Sequence, residues 1–238
     1  MQLVKSTRDT LLRPLQIVSG IVERRHTMPI LANILIRKNG ESVSFLSTDT
    51  EVQITTLANI GSGPEEAGTT VAARKLLDIL RALPESGDVT MTLLNKRLTV
   101  QSGKSRFALQ TLAAEEFPTV SVADTYNATV TLPQKTLKHL FNMVHFAMAQ
   151  QDIRYYLNGL LLVLEGNNVI AVATDGHRLA FSQVTAEQHF ERQEVIIPRK
   201  TILELQRLLE ESDDTVRLDI AASQVKLTFA DIELVSKL

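Results

Sequence analysis

The stretch Met28-Pro29-Ile30-Leu31-Ala32-Asn33-Ile34-Leu35-Ile36 is answered later in the chain by Arg154-Tyr155-Tyr156-Leu157-Asn158-Gly159-Leu160-Leu161-Leu162. Leu31 and Leu157 lie 126 positions apart. Gly40 and Gly166 keep that offset, as do Val43 and Val169, Thr48 and Thr174, and Asp49 and Asp175. A second block matches at 125: Ala73-Arg74-Lys75 with Pro198-Arg199-Lys200, Leu80 with Leu205, and Leu83 with Leu208. A third matches at 127, pairing Val89 with Val216 and Leu98 with Val225. Offsets that drift by one residue are what small loop changes produce. A match over so long a span reads as two domains of one fold. The boundary falls within 113–127, which sets two domains at 1–120 and 127–238.

Inside the first copy, 2–4 reads as a short strand. A helix over 7–19 follows, with Leu11, Leu12, Leu15 and Val18 at helical spacing and Pro14 bending it. Residues 34–36, 43–47, 52–56 and 69–72 read as strands. A second helix over 74–83 is ended by Pro84 and Gly87. Strands at 89–93, 98–101 and 107–112, joined by turns, close the copy. The second copy repeats the order, with helices at 134–147 and 199–209. Two helices packed on a predominantly antiparallel sheet, twice over, is an α+β fold.

At 238 residues and 44% hydrophobic, the chain can bury two cores of ordinary size. It holds no Cys, which excludes disulfides, thiol catalysis and Cys-ligated metal and suits a reducing cytoplasm. No apolar run reaches about 18 residues, so no membrane span is expected, and 1–13 lacks a signal-peptide pattern. The final Ser236-Lys237-Leu238 spells a peroxisomal address but fits the end of a repeated strand better.

Net charge is -2, yet the four expected helices are all positive, one at +1 and three at +2. Their +7 leaves -9 for the rest of the chain. Helices sharing one side of the sheets would present a basic surface suited to phosphates without base reading. Ordinary solvated helix faces are the plain alternative.

Two segments carry a family resemblance: Gln151-Asp152-Ile153-Arg154-Tyr155-Tyr156-Leu157-Asn158-Gly159 and Ala173-Thr174-Asp175-Gly176-His177-Arg178-Leu179-Ala180. Both resemble signatures of the second domain of the bacterial beta clamp family, the beta subunit of DNA polymerase III. The first copy agrees through Leu11-Leu12-Arg13-Pro14-Leu15, Met28-Pro29-Ile30-Leu31, Ala73-Arg74-Lys75, Ser102-Gly103-Lys104-Ser105-Arg106-Phe107 and Glu116-Phe117-Pro118. The resemblance covers essentially the whole chain.

It implies a tandem of clamp domains and a non-catalytic processivity factor of the cytoplasm and nucleoid, with no cofactor and no metal. In that family, three-domain chains dimerise head to tail into a ring around double-stranded DNA. A clamp loader opens the ring, and the polymerase alpha subunit and other factors dock by short clamp-binding peptides. Carried over by motif, Arg25, Arg74, Gln151, Tyr155 and Tyr156 would contact DNA, with Arg199, Lys200 and Arg207 adding helix charge. Leu157, Thr174, Gly176, His177, Arg178 and Leu179 would form half of the peptide pocket, and Lys75, Phe107 and Leu109 the ring interface. From the residues alone, Tyr155-Tyr156 reads as a pair capping a strand, Asp175-Gly176 as a hairpin turn, and Phe107 and Leu109 as one face of an edge strand. Three repeats would need roughly 375 residues, so the third clamp domain is expected to be missing. A self-contained two-domain clamp closing as a trimer is the alternative, separable by mass in solution.

Enzyme readings fare poorly. Gly103-Lys104-Ser105 resembles the end of a phosphate-binding loop, but Leu98 stands where that motif needs Gly. His26, His139, His145, His177 and His189 lack metal-ligand spacing.

Overall fold

The computed structural model describes residues 1–22, 28–85 and 87–238. The chain divides into two compact units, Met1–Val120 and Ser121–Leu238. Unit 1 opens with β1 (Gln2–Thr7) and α1 (Arg8–Val18). The Thr7 hydroxyl accepts the Thr10 N–H at 3.4 Å, satisfying one of the helix's orphan donors. Leu11, Pro14, Leu15 and Val18 line the buried stripe of α1. Truncating a fully buried leucine such as Leu11 to Ala costs about 2–5 kcal/mol.

After α1 come β2 (Asn33–Asn39), β3 (Ser42–Thr48), β4 (Val52–Asn59), β5 (Ala67–Ala72), α2 (Ala73–Ala82), β6 (Asp88–Leu94), β7 (Arg97–Ser102) and β8 (Ser105–Leu112). Neighbours are bonded in the order β1-β6-β7-β8-β5-β2-β3-β4, and each pair is antiparallel. The seam between β5 and β8 is short, only Thr70 with Leu112 and Val71 with Thr111. The two helices pack together, and the Arg8 side chain ties them by donating from Nε to the Leu80 carbonyl at 3.0 Å.

Unit 2 runs β9 (Ala128–Pro133), α3 (Gln134–Asn142), β10 (Gly159–Thr174), β11 (Leu179–Pro198), α4 (Arg199–Leu208), β12 (Thr215–Ile220), β13 (Gln224–Phe229) and β14 (Ile232–Lys237). Its strands bond in the order β14-β13-β12-β9, with β10 and β11 paired to each other. Helix faces repeat with those of unit 1. Buried Leu137, Leu140, Phe141 and Val144 stand 126 positions after Leu11, Pro14, Leu15 and Val18. In the second helix pair, buried Thr201, Ile202 and Leu205 follow Leu76, Leu77 and Leu80 by 125. Strand pairing still runs at 126 up to the helix, where Asn33 pairs with Ala72 and Gly159 with Pro198. The one-residue drift therefore lies between the strand and the buried face of the helix.

Two expectations change. The second copy's short strands are run together: β10 spans 16 residues and β11 spans 20. Register is kept as two separate ladders, Gly159–Leu164 on Gln193–Pro198 and Asn168–Thr174 on Leu179–Thr185, with the break at Gly166. The helix expected over 134–147 stops at Asn142. Val144 leaves helical backbone at φ -128, and a 3-10 turn at His145–Ala147 carries the buried face onward, as Ser19–Ile21 does after α1. Among the described residues, no helix is long and apolar enough to cross a membrane.

Candidate functional site

Two segments of unit 2 carry most of the expected contacts, and one arginine brings them together. The first is the hairpin turn between β10 and β11, closed by the Thr174–Leu179 pair. Its polar groups bond inward. The Thr174 hydroxyl donates to the Arg178 carbonyl at 2.7 Å and accepts the Gly176 N–H at 3.1 Å. One Asp175 carboxylate oxygen accepts the N–H groups of His177 and Arg178, each at 3.0 Å. Those two backbone bonds, with the Arg178 side chain behind them, hold the Asp175 carboxyl below its ordinary pKa. Gly176 takes φ +89, a backbone region that a side chain disfavours.

The second segment is 151–158. Asp152 donates its N–H to Asn158 Oδ1 at 2.9 Å and accepts the Asn158 amide on its carbonyl at 2.8 Å. The Asp152 carboxylate takes Arg154 three ways: backbone N–H at 2.8 Å, Nε at 3.0 Å and a terminal nitrogen at 2.9 Å. The Arg154 side chain, then its backbone, pull the Asp152 carboxyl pKa down to about 2. Held this way, the guanidinium stands 3.2 Å from the place a Gly176 Cβ would occupy. It fills the glycine's bare side and braces the turn against the loop.

The expected pocket residues split by burial. Leu157 is 9% exposed, on a 3-10 turn at Tyr155–Leu157. Thr174 is half-buried. Gly176, His177, Arg178 and Leu179 are exposed, Leu179 at 67%. Sequence reasoning missed three neighbours. Arg154 lies inside a family-like motif, and its contact with the turn is not visible in the spacing. Phe181 is exposed two places after Leu179, so strand alternation puts it on the same face. Phe146 lies under the Arg178 guanidinium at 5.7 Å from its ring centroid. Alternation around Leu179 was the signal available for Phe181. Phe146 was hidden by the helix expected to run through it.

The residues expected to contact DNA differ in exposure. Tyr155 is 82% exposed and Tyr156 half exposed, their rings edge to face at 5.8 Å, so neither is a core residue. Gln151 is exposed at φ +55. Arg74 and Lys75 are exposed on the first turn of α2 and meet no acid among the described residues. Charge on the helices of unit 2 is more committed. Lys135 pairs with Asp213 at 2.6 Å, Lys138 with Glu211 at 3.4 Å, and Arg207 with Glu204 at 2.7 Å. Arg199, half-buried, donates to the Met148 carbonyl at 3.3 Å, and Lys200 is half-buried beside it. Arg25 lies outside the described residues. For the ring-interface set, Phe107 is exposed on β8, but Leu109 is buried. Two places apart on β8, the two residues share one face of the strand, which is open at Phe107 and covered at Leu109.

Comparisons with known proteins agree along the chain. Residues 2–121 match the family described as DNA polymerase III beta subunit, N-terminal domain, and 131–238 match its central domain. The chain is similar to a beta sliding clamp of Pseudomonas putida, 42% identical over 232 residues, 97% of this chain and 63% of that protein. The crystal structure of the DNA polymerase III subunit beta from Pseudomonas aeruginosa superposes with a TM-score of 0.96 at 41% identity, over 100% of this chain and 64% of that one. A second structure from Pseudomonas aeruginosa, a sliding clamp bound to griselimycin, superposes with a TM-score of 0.95 at 41% identity and the same coverage. The chain thus spans a little under two thirds of these relatives' length.

Proposed function

Because this chain belongs to the DNA polymerase III beta subunit family, we propose that it supplies two domains of a bacterial sliding clamp: a non-catalytic tether that holds duplex DNA without sequence preference and docks replication and repair factors by short peptides. The observation that carries this reading is the braced hairpin of unit 2. Its polar groups are satisfied internally, while Leu179, Phe181 and Phe146 stay exposed beside it. A wall that is rigid before binding and apolar at its rim suits a peptide side chain, because less ordering is left to do on association. On the DNA side, Tyr155 and Tyr156 offer ring faces to a base or sugar, and Arg74 and Lys75 offer charge to phosphates.

The partners implied are duplex DNA, the alpha subunit of DNA polymerase III, the clamp loader, and other copies closing a ring in the cytoplasm. With half of the peptide groove supplied by this chain, a polymerase-type clamp-binding peptide is expected to bind in the high micromolar range or weaker, since each 1.4 kcal/mol lost costs about tenfold. NMR titration with that peptide checks it. Amide shifts should cluster on Gly176, His177 and Leu179 and vanish in Leu179→Asp, a change on an exposed residue that spares the core. Leu157→Asp should abolish them too. Shifts confined to unit 1 would refute the assignment.

A further inference from the structure

Beside the open turn of unit 2 a guanidinium rests on an aromatic ring, and unit 1 has neither group at the matching places. Phe146 sits on the 3-10 turn His145–Ala147 and is 52% exposed. The Arg178 Cζ lies over its ring, 5.7 Å from the centroid. The His145 ring stands nearly perpendicular to that of Phe146, with centroids 6.4 Å apart, and its Nδ1 lies 3.2 Å from the Asn142 carbonyl. In unit 1, 126 positions earlier, Gly20 stands for Phe146 and Val52 for Arg178. Yet unit 1 builds the same 3-10 turn, at Ser19–Ile21, and the same bonded Thr-Asp turn. The fold therefore needs neither the ring nor the guanidinium, and another demand has to account for the pair.

The contacts of Arg178 divide its donors. Nε donates to Asp175 Oδ2 at 2.9 Å. The other Asp175 oxygen is taken by the backbone N–H groups of His177 and Arg178. The Phe146 ring attracts the guanidinium through its π face and uses none of its N–H donors. Among the described residues, the two terminal nitrogens of Arg178 carry no hydrogen bond. The side chain is 58% exposed, so those nitrogens are open to a partner. Two donors at a fixed spacing match the two oxygens of a carboxylate. Leu179, next in the chain, and Phe181 add exposed apolar surface.

We propose that Phe146 is a positioning residue that holds Arg178 with its terminal nitrogens outward, to receive a carboxylate of a docking peptide beside a bulky apolar side chain. The inference rests on the peptide-docking reading of this turn and names what the turn selects. Without the ring, only the Asp175 contact restrains the Arg178 side chain, and a partner must order the rest of it on binding.

Two small probes read this selectivity in the full chain by NMR. N-acetylphenylalanine joins a carboxylate to an aromatic ring, and its amide lacks the charge. At millimolar concentrations both should shift the Leu179 methyl signals, and the acid should also shift the Arg178 Nε–H signal. The acid should half-saturate at about threefold lower concentration than the amide. In Phe146→Leu that preference should vanish while weak apolar binding of both probes remains. Phe146→Trp, which restores a ring face, should keep it. In the parent chain, salt at about 1 M shortens the screening length to about 3 Å and should remove the preference. Equal or absent binding of the two probes to the parent chain would overturn the proposal. So would a preference that survives Phe146→Leu or high salt, or an equal weakening of both probes in Phe146→Leu, which is what a purely structural role predicts. Neither probe carries a clamp-binding sequence, so such a result leaves the docking reading to the peptide titration.

Discussion

Unit 1 and unit 2 build one turn twice, and bury it once. In unit 1, the Thr48 hydroxyl donates to the Val52 carbonyl at 2.8 Å and accepts the Thr50 N–H at 3.0 Å. Asp49 accepts the N–H groups of Glu51 and Val52 at 2.9 and 2.7 Å. Unit 2 repeats every one of these bonds with Thr174, Asp175, Gly176, His177 and Arg178, 126 positions later. Yet Thr48, Asp49 and Val52 are buried, whereas their counterparts Thr174 and Asp175 are half-buried and Arg178 is exposed; only the tips, Glu51 and His177, are exposed in both. The left-handed position is Thr50 at φ +79 in one and Gly176 at φ +89 in the other. Internal bonding is thus a property of the Thr-Asp motif. Availability to a partner is a property of what surrounds it.

The largest effect expected from this contrast comes from removing the shared carboxylate. Asp49→Ala strands a buried Val52 N–H and should cost about 2–3 kcal/mol in urea unfolding. Asp175→Ala frees donors that water can reach and should cost less than about 1 kcal/mol, while weakening peptide docking. Equal costs for the two would break the comparison.

Backbone strain gives a smaller effect, in opposite directions. Gly176→Ala forces a side chain into a left-handed position and against the Arg154 guanidinium, so about 1–2 kcal/mol should be lost. Thr50→Gly relieves the same strain in unit 1, offset by the added freedom of glycine in the unfolded chain. Its unfolding free energy should stay within about 1 kcal/mol of the parent's. A large loss in Thr50→Gly would mean that the Thr50 side chain contributes more than its strained backbone costs.

The smallest effect is a titration. Asp152 has its folded pKa depressed to about 2, against about 3.9 for an ordinary aspartate. The carboxylate favours the folded loop above the ordinary value, and that contribution is lost as pH falls through the folded value. Bracing of the turn by Arg154 should therefore be complete above about pH 4 and fade toward pH 2. Carbon-13 shifts of the Asp152 carboxyl would follow it, and a midpoint near 4 would show that Arg154 does not hold the group. In Arg154→Ala the midpoint should move up toward the ordinary value.

Periodic and repeated features were legible in the sequence. Spacing within the first helix matches its buried stripe except at Leu12, which is only partly buried, whereas Pro14 joins the buried set. Such patterns are local, because a helix or strand face is decided by residues a few places apart. The family motifs likewise marked the two segments of unit 2 that the Arg154 guanidinium brings together. Contacts across the chain were not legible in this way. Nothing in the spacing of Arg154 and Gly176 says that one fills the bare side of the other. Nor does the count of basic residues say that Lys135 and Lys138 meet the acids Asp213 and Glu211, which weakens the case for an unbroken basic surface on unit 2.

The sequence by itself determined that two copies of an α+β unit would form, which helix faces they would bury, and where the Thr-Asp turns would fall, since each follows from short-range periodicity and turn chemistry. Tertiary structure alone decided which turn is open, that Tyr155 and Tyr156 face solvent, and that Leu109 does not. Exposure is set by what other segments leave uncovered. That is a sum over distant parts of the chain, which no local pattern contains.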